Sequence, residues 1–249
     1  MTRTKILITG ASAGLGAGMA REFAAKGRDL ALCARRLDAL EALRAELIAA
    51  HPNITVAVRA LNVDDHAAVP QVFGELRDEL GGLDRVIVNA GLGKGARVGG
   101  GRADANIATA TTNFVSALAQ AEAALEIFRA QRAGHLVLVS SMSAVRGLPG
   151  KKAAYAASKA GLAALGAGLA VELAKSPIAV TTLLPGFIAT DMVTQAGDAK
   201  LVAPLDKGVA SMVRAIEKEQ VRACVPAWPW RLFDLVLPRL PGSVIAKMG

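Results

Sequence analysis

Tyr155-Ala156-Ala157-Ser158-Lys159 sets a phenol and an ammonium four residues apart. On a helix that spacing brings both groups to one face, a turn from each other. A phenol with an ordinary pKa of about 10 is a poor acid or base at neutral pH, but a neighbouring ammonium favours the phenolate. Tyr155 is the only tyrosine in the chain, so it is not one of several interchangeable packing aromatics. A Tyr and Lys pair by itself is more often a solvated helix face, and its meaning depends on what accompanies it. Proton transfer to a carbonyl also needs a hydroxyl to hold the oxygen on which charge develops. Ser140, Ser141 and Ser143 stand just after an apolar run that begins at His135. Serines ending a strand are ordinarily turn formers.

A second group of residues suits a dinucleotide. Thr9-Gly10-Ala11-Ser12-Ala13-Gly14-Leu15-Gly16 follows a short apolar run and opens a segment of helical period. Glycines permit a tight turn and a close backbone approach, and a pyrophosphate meets the free N–H groups at the helix start. Cofactor choice is read at the end of the second strand, where a carboxylate would pair ribose hydroxyls and repel a 2′-phosphate. This chain has Ala34 there, followed by Arg35 and Arg36. Guanidinium forks suit a phosphate, which predicts NADP(H) in preference to NAD(H).

The elements that must position these groups are legible as short β-rich runs alternating with Ala/Leu/Glu/Lys segments of helical period. Strands are expected at 5–9, 30–34, 55–61, 85–89, 135–140, 179–184 and 222–225. Helices are expected at 14–26, 37–50, 65–80, 107–132, 153–175 and 205–219. Repeated βαβ units predict an α/β fold: a Rossmann-type, doubly wound, parallel seven-stranded sheet with helices on both faces. The 249 residues read as one domain, with 226–249 as a C-terminal apolar tail. Ligands of such sheets bind beyond the carboxyl ends of the strands, where the motifs fall.

Composition narrows the class further. With 53% hydrophobic and only 4% aromatic residues, the chain has ample core and many small side chains for close helix-on-sheet packing. The net charge of +8 comes from scattered Lys and Arg with no aromatic-basic platform for nucleic acid; an acidic small ligand such as a dinucleotide fits it at least as well, and on charge alone a basic solvated surface is the ordinary reading. Cys33 and Cys224 lie in separate apolar runs and read as buried thiols of a reducing, cytoplasmic compartment; no metal site is expected. Nothing at the N-terminus reads as a targeting signal, and no uninterrupted apolar stretch has the length of a bilayer-spanning helix.

TGASAGLG at 9–16 and YAASK at 155–159 together resemble the short-chain dehydrogenase/reductase family, whose signatures are TGxxxGxG and YxxxK. Asn89-Ala90-Gly91 is similar to the family's NAG element, which holds the central sheet and borders the adenosine pocket. Pro185-Gly186-Phe187-Ile188-Ala189-Thr190 resembles its PGxxxT element, which puts Thr190 and the Ile188 backbone at the nicotinamide end. The resemblance spans residues 9 to about 192 and implies Tyr155 as acid/base, Lys159 as its partner and Ser141 as the hydroxyl that fixes the substrate oxygen. The segment between Ser141 and Tyr155 is one residue longer than the family's commonest spacing, so Ser143 stays open beside Ser141. Asn113, in Thr111-Thr112-Asn113-Phe114-Val115, matches the helix asparagine that holds a water linking the lysine to solvent. Asn62-Val63 stands where the family usually has Asp-Val; Asn62 retains a carbonyl acceptor for the adenine amino group.

The implied activity is hydride transfer between nicotinamide and a carbonyl or alcohol. Substrate contacts are expected from 92–98, 144–149 and 191–193, which are mostly apolar and suggest a lipophilic substrate. Family relatives are commonly dimers or tetramers, which implies a homo-oligomer. The tail, with Trp228 and Trp230, could rim the cleft, pack on a subunit or meet a membrane surface. An idle NADP(H)-binding regulator on the same fold is the main alternative, and the full Ser, Tyr, Lys and Asn set argues against it.

Overall fold

The computed structural model describes residues 3–190 and 201–246. Seven parallel strands run β1 (Lys5–Thr9), β2 (Asp29–Ala34), β3 (Val56–Ala60), β4 (Arg85–Val88), β5 (Gly134–Val139), β6 (Ile178–Pro185) and β7 (Arg222–Val225). They form one sheet in the order β3-β2-β1-β4-β5-β6-β7, so the winding reverses between β1 and β4. The expected fold class holds, with strand bounds displaced by at most one residue.

The strands are apolar without interruption because both faces are covered. Alternation divides them: Ile6, Ile8, Leu30 and Leu32 pack toward α1 (Gly14–Ala24), α2 (Leu37–Ala50) and α7 (Leu205–Glu217). Leu7, Ala31, Val86 and Val88 pack toward α3 (Ala68–Leu80), α5 (Ser116–Gln131) and α6 (Ala153–Glu172). Burying two such layers is the main favourable term, at about 25 cal/mol per Å2 of apolar surface.

Three departures from the sequence-based expectation bear on the site. Helix α3 starts at Ala68 rather than 65, because Asn62–Ala67 is held in a turn in which Asp65 Oδ1 accepts from Ala68 N at 3.3 Å. The long helix expected at 107–132 begins four residues earlier, as α4 (Ala103–Ala110), and passes through a π-helical turn (Thr111–Val115) before α5. The apolar tail folds into α8 (Ala227–Val236), a 3-10 turn (Leu237–Arg239) and a short α9 (Gly242–Ala246), and it buries Trp230, Leu237 and Ile245.

One helical stretch, Gly150–Glu172, is long and apolar enough to cross a membrane by length and composition, with a mean hydropathy of 1.3, although Lys151, Lys152 and Lys159 interrupt it. In the fold it is α6 and its lead-in turn. It packs so closely on the sheet that a Cβ at Gly166 would lie 2.1 Å from Thr182 Oγ1, and it buries Ser158 and Lys159.

Candidate active site

The carboxyl ends of β1, β2, β4, β5 and β6 surround a cleft of ≈370 Å3. The nucleotide and catalytic residues named from the sequence line it, except Gly16 and Asn113, which lie behind its wall, and the alternative serine, Ser143. Gly10 and Gly14 have φ of +65° and +54°, the region that favours glycine. Gly16 serves close approach instead: a Cβ there would come 2.4 Å from the Gly10 carbonyl oxygen. Helix α1 opens after Ala13, whose extended backbone carries no side-chain cap, and its first turn holds no acidic residue. Its leading N–H groups and the positive end of its dipole therefore face the cleft beside Ser12, Ala13 and Leu15.

The glycine turn is tied to β4. Asn89 N and Ala90 N donate to Thr9 Oγ1 at 3.0 and 3.1 Å, and Asn89 Nδ2 donates to the Thr9 carbonyl at 2.9 Å. This clamp bridges the two strands between which the winding reverses. Arg35 and Arg36 are exposed at the end of β2, and Arg36 Nη2 reaches Ser12 Oγ at 3.2 Å across the turn. Asn62 and Val63 line the adjoining wall. The Asn62 carbonyl oxygen also accepts, at 3.4 Å, from Asp64 N within its own turn.

On the other side, the Tyr155 phenol and the Ser141 hydroxyl line the cleft together. Burial pushes the phenol pKa up, and Ser141 draws it down. Ser141 Oγ also accepts from Ser143 N at 3.1 Å; Ser143 supports Ser141 and does not line the cleft. Lys159 is 5% exposed and its Nζ donates to the Val139 carbonyl at 2.9 Å, while Ser140 Oγ donates to the Lys159 carbonyl at 2.7 Å. Asn113 is fully buried inside the π turn. Its Oδ1 accepts from Leu92 N at 2.7 Å, and its Nδ2 donates to the Leu92 carbonyl at 2.9 Å and to Ser158 Oγ at 3.3 Å. The amide thus brackets the backbone after β4.

Burial lowers the Lys159 pKa from 10.5 to about 8. Between those values the unfolded chain holds this proton and the folded chain does not, so stability rises with pH across the window. Below about 8 the buried charge opposes folding in full. Lys159→Met lacks this dependence, so wild type gains stability relative to the variant as the pH climbs from about 8 to about 10. Parallel urea midpoints across that range would contradict it.

The glycine turn, Ser141 and the Tyr155–Lys159 pair occur together within residues 4–201, and that segment matches the family described as short chain dehydrogenase. The chain belongs to that family. An uncharacterized oxidoreductase of Mycobacterium tuberculosis is 57% identical over 244 residues, covering 96% of each chain. The crystal structure of levodione reductase superposes with a TM-score of 0.81 at 26% identity, covering 90% of this chain and 95% of that one. An alcohol dehydrogenase of Thermococcus sibiricus shares the fold, with a TM-score of 0.78 at 24% identity over 89% and 95% of the two chains. The protein is an oxidoreductase of the short-chain dehydrogenase family.

Short-chain dehydrogenases bind NAD(P), and this cleft fits the group. Its glycine cradle is shaped so that a Cβ would collide, and its helix start is uncapped. Beyond Pro185 and Gly186, Ile188 is buried and bridges to Ala203, and Thr190 lies 3.6 Å from the Cβ position of Gly14. The expected substrate-contact residues Asp191, Met192 and Val193 lie outside the described residues. Next to Ser141, an apolar wall is built from Met142, Val145, Phe187, Trp230 and Phe233.

Sequence reasoning gave no role to Val139, Ser140 or Asp64. Val139 and Ser140 hold Lys159 through main-chain groups, and their only signal was position at the end of β5. Asp64 accepts from Thr112 Oγ1 at 2.9 Å and from Ser116 Oγ at 2.7 Å, fastening the π turn to the wall beneath Asn62. No spacing in the sequence connects residue 64 with 112 or 116.

Proposed function

We propose that this short-chain dehydrogenase interconverts a carbonyl and an alcohol on a lipophilic substrate with NADP(H). The observation that carries the reading is that Tyr155, Ser141 and Lys159, with Tyr155 and Lys159 one helical turn apart, line the same cleft as the glycine cradle. When bound, the nicotinamide supplies or accepts the hydride. Tyr155 donates the proton to the substrate oxygen in reduction and takes it back in oxidation, while the Ser141 hydroxyl fixes that oxygen. The Lys159 ammonium stabilises the phenolate left after proton donation. Asn113 acts through position, holding Leu92 and Ser158 around the site. Val145 and Phe187, half-buried in the apolar cluster beside Ser141, supply apolar surface for the substrate body, with Met142 and Trp230 buried behind them.

Preference for NADP(H) is supported by the two guanidiniums at the end of β2 and by the contact of Arg36 with Ser12, which gives a 2′-phosphate charged donors. The alcohol dehydrogenase of similar fold is complexed with 5-hydroxy-NADP. An assembly of two or four copies is supported by exposed apolar residues such as Val171 of α6, at 79%. A cytoplasmic location is supported by Cys33 and Cys224, both buried free thiols.

The test is nucleotide oxidation by the purified protein with apolar ketones and aldehydes, NADPH and NADH in parallel. Wild type is expected to turn over faster with NADPH. Arg35→Ala/Arg36→Ala is expected to raise KM for NADPH about 10–100-fold, each lost charged bond being worth roughly 1.5–3 kcal/mol, and to leave NADH unchanged. Equal losses with both nucleotides would remove the arginines from phosphate recognition. Tight NADPH binding with no turnover on any carbonyl would favour a regulatory role.

A further inference from the structure

Helix α8 is apolar on both sides. Trp230, Phe233 and Leu237 point inward, and Trp230 and Phe233 belong to the wall beside the cleft. Leu232, Leu235 and Val236, spaced i, i+3 and i+4, turn outward and are 49%, 61% and 40% exposed, and Trp228, whose backbone is extended at the kink that opens the helix, is 75% exposed. Val244 of α9 adds a further exposed apolar side chain. A helix with apolar residues all round is ordinarily buried, and a contiguous exposed apolar patch marks a surface that meets something.

The charges around the patch say what it meets. Lys94, Arg146, Lys151 and Lys152 come from the loops after β4 and β5, and Arg231 and Arg239 from the tail itself. These segments form one edge: a Cβ at Gly95 would touch the Lys151 carbonyl oxygen, and Arg146 Nη2 donates to the Leu240 carbonyl at 3.3 Å. Residues 92–102 and 142–152 contain no acid, and Asp234, the one acid between 226 and 246, is paired with Arg222. The chain as a whole carries a net charge of +8. Apolar side chains headed by tryptophan and ringed by cations match the boundary of an anionic bilayer, where indoles lie at headgroup depth and cations meet phosphates.

We propose that this edge docks the protein peripherally on an anionic lipid surface, with Trp228, Leu232, Leu235 and Val236 entering the headgroup boundary. Trp230 and Phe233 connect the patch to the cleft wall, so docking brings the mouth of the cleft close to the bilayer. The docking does not depend on the substrate or the nucleotide preference proposed above, and it is tested without turnover.

The experiment is sedimentation of the full chain with vesicles of phosphatidylcholine alone and with about one third phosphatidylglycerol. Wild type is expected to pellet with the anionic vesicles, to pellet far less with the neutral ones, and to be released as salt rises and the Debye length shrinks. Leu232→Asp/Leu235→Asp is expected to lower the partition coefficient about tenfold or more, with its melting temperature and NADPH binding unchanged. Trp228→Ser, at the most exposed position of the face, is a milder variant expected to move the same way and to lose the blue shift of indole fluorescence on vesicle addition. Wild type left in the supernatant with anionic vesicles at low salt would overturn the proposal. So would variants that pellet like wild type, or a double variant whose mass in solution falls, since the face would then be buried between copies of the chain.

Discussion

Tyr155→Phe is expected to lower kcat by about 10²–10⁴-fold while the variant still binds NADPH, the range typical of losing a general acid-base group. The substitution removes one oxygen and keeps the ring, so the cleft retains its shape. Burial in the free protein pushes the phenol pKa up and Ser141 pulls it down. The phenol is therefore protonated at neutral pH, as reduction requires, and gives up its proton only as charge grows on the substrate oxygen. Lys159 supports that transfer as a cation and loses its own proton at about 8 in the free protein. Ser141→Ala leaves the phenol in place and is expected to cost less than the loss of Tyr155. Single-turnover rates with saturating NADPH separate chemistry from nucleotide binding. Wild-type rates in Tyr155→Phe would assign the proton to another group.

Gly186→Ala is expected to destabilise the fold more than a surface substitution and to weaken turnover in the same step. A Cβ at Gly186 would lie 2.0 Å from Trp230 Cε2, well inside van der Waals contact. Trp230 is 6% exposed and touches the rings of Phe187 and Phe233 with centroids 5.5 and 5.4 Å away. Its indole N–H has no hydrogen-bond partner among the described residues, so packing alone holds it. The added methyl must expel the indole or shift the backbone that lines the cleft. Overpacking of this kind costs about 1–3 kcal/mol and occasionally more, or about 2–12 °C in Tm at this chain length. Trp230→Ala removes the obstacle at a cost of its own, about 3–5 kcal/mol. In that background Gly186→Ala should be close to neutral, which a double-mutant cycle reads as strong coupling. Additive losses would mean that α8 does not seal this wall.

The most local features were legible in the sequence. An unbroken apolar strand read correctly because both faces of a parallel sheet are covered, and Gly10, Gly14 and Gly16 read correctly because only a residue without a Cβ fits those positions. Arg35 and Arg36 fall at the end of β2 for the same reason: strand length and turn chemistry are encoded over a few residues. Boundaries slipped where a side chain reaches far along the chain. The start of α3 is one case, with Asp64 drawn to Thr112 and Ser116.

By itself, then, the sequence determined the α/β class, the doubly wound parallel sheet, the glycine cradle and the Tyr155–Lys159 pair, because each rests on spacing within one element or on a rule of chain connection. Only the tertiary structure decided which serine meets Tyr155, since Ser141 and Ser143 differ by how the backbone turns after β5. It likewise decided that Asn113 sits in a π turn with its amide committed to Leu92, and that the tail folds back to seat Trp230 on Gly186. Those contacts join residues 21 to 44 positions apart. Such pairs are selected by packing and by the need to satisfy buried polar groups once the sheet has formed, and no local pattern records them.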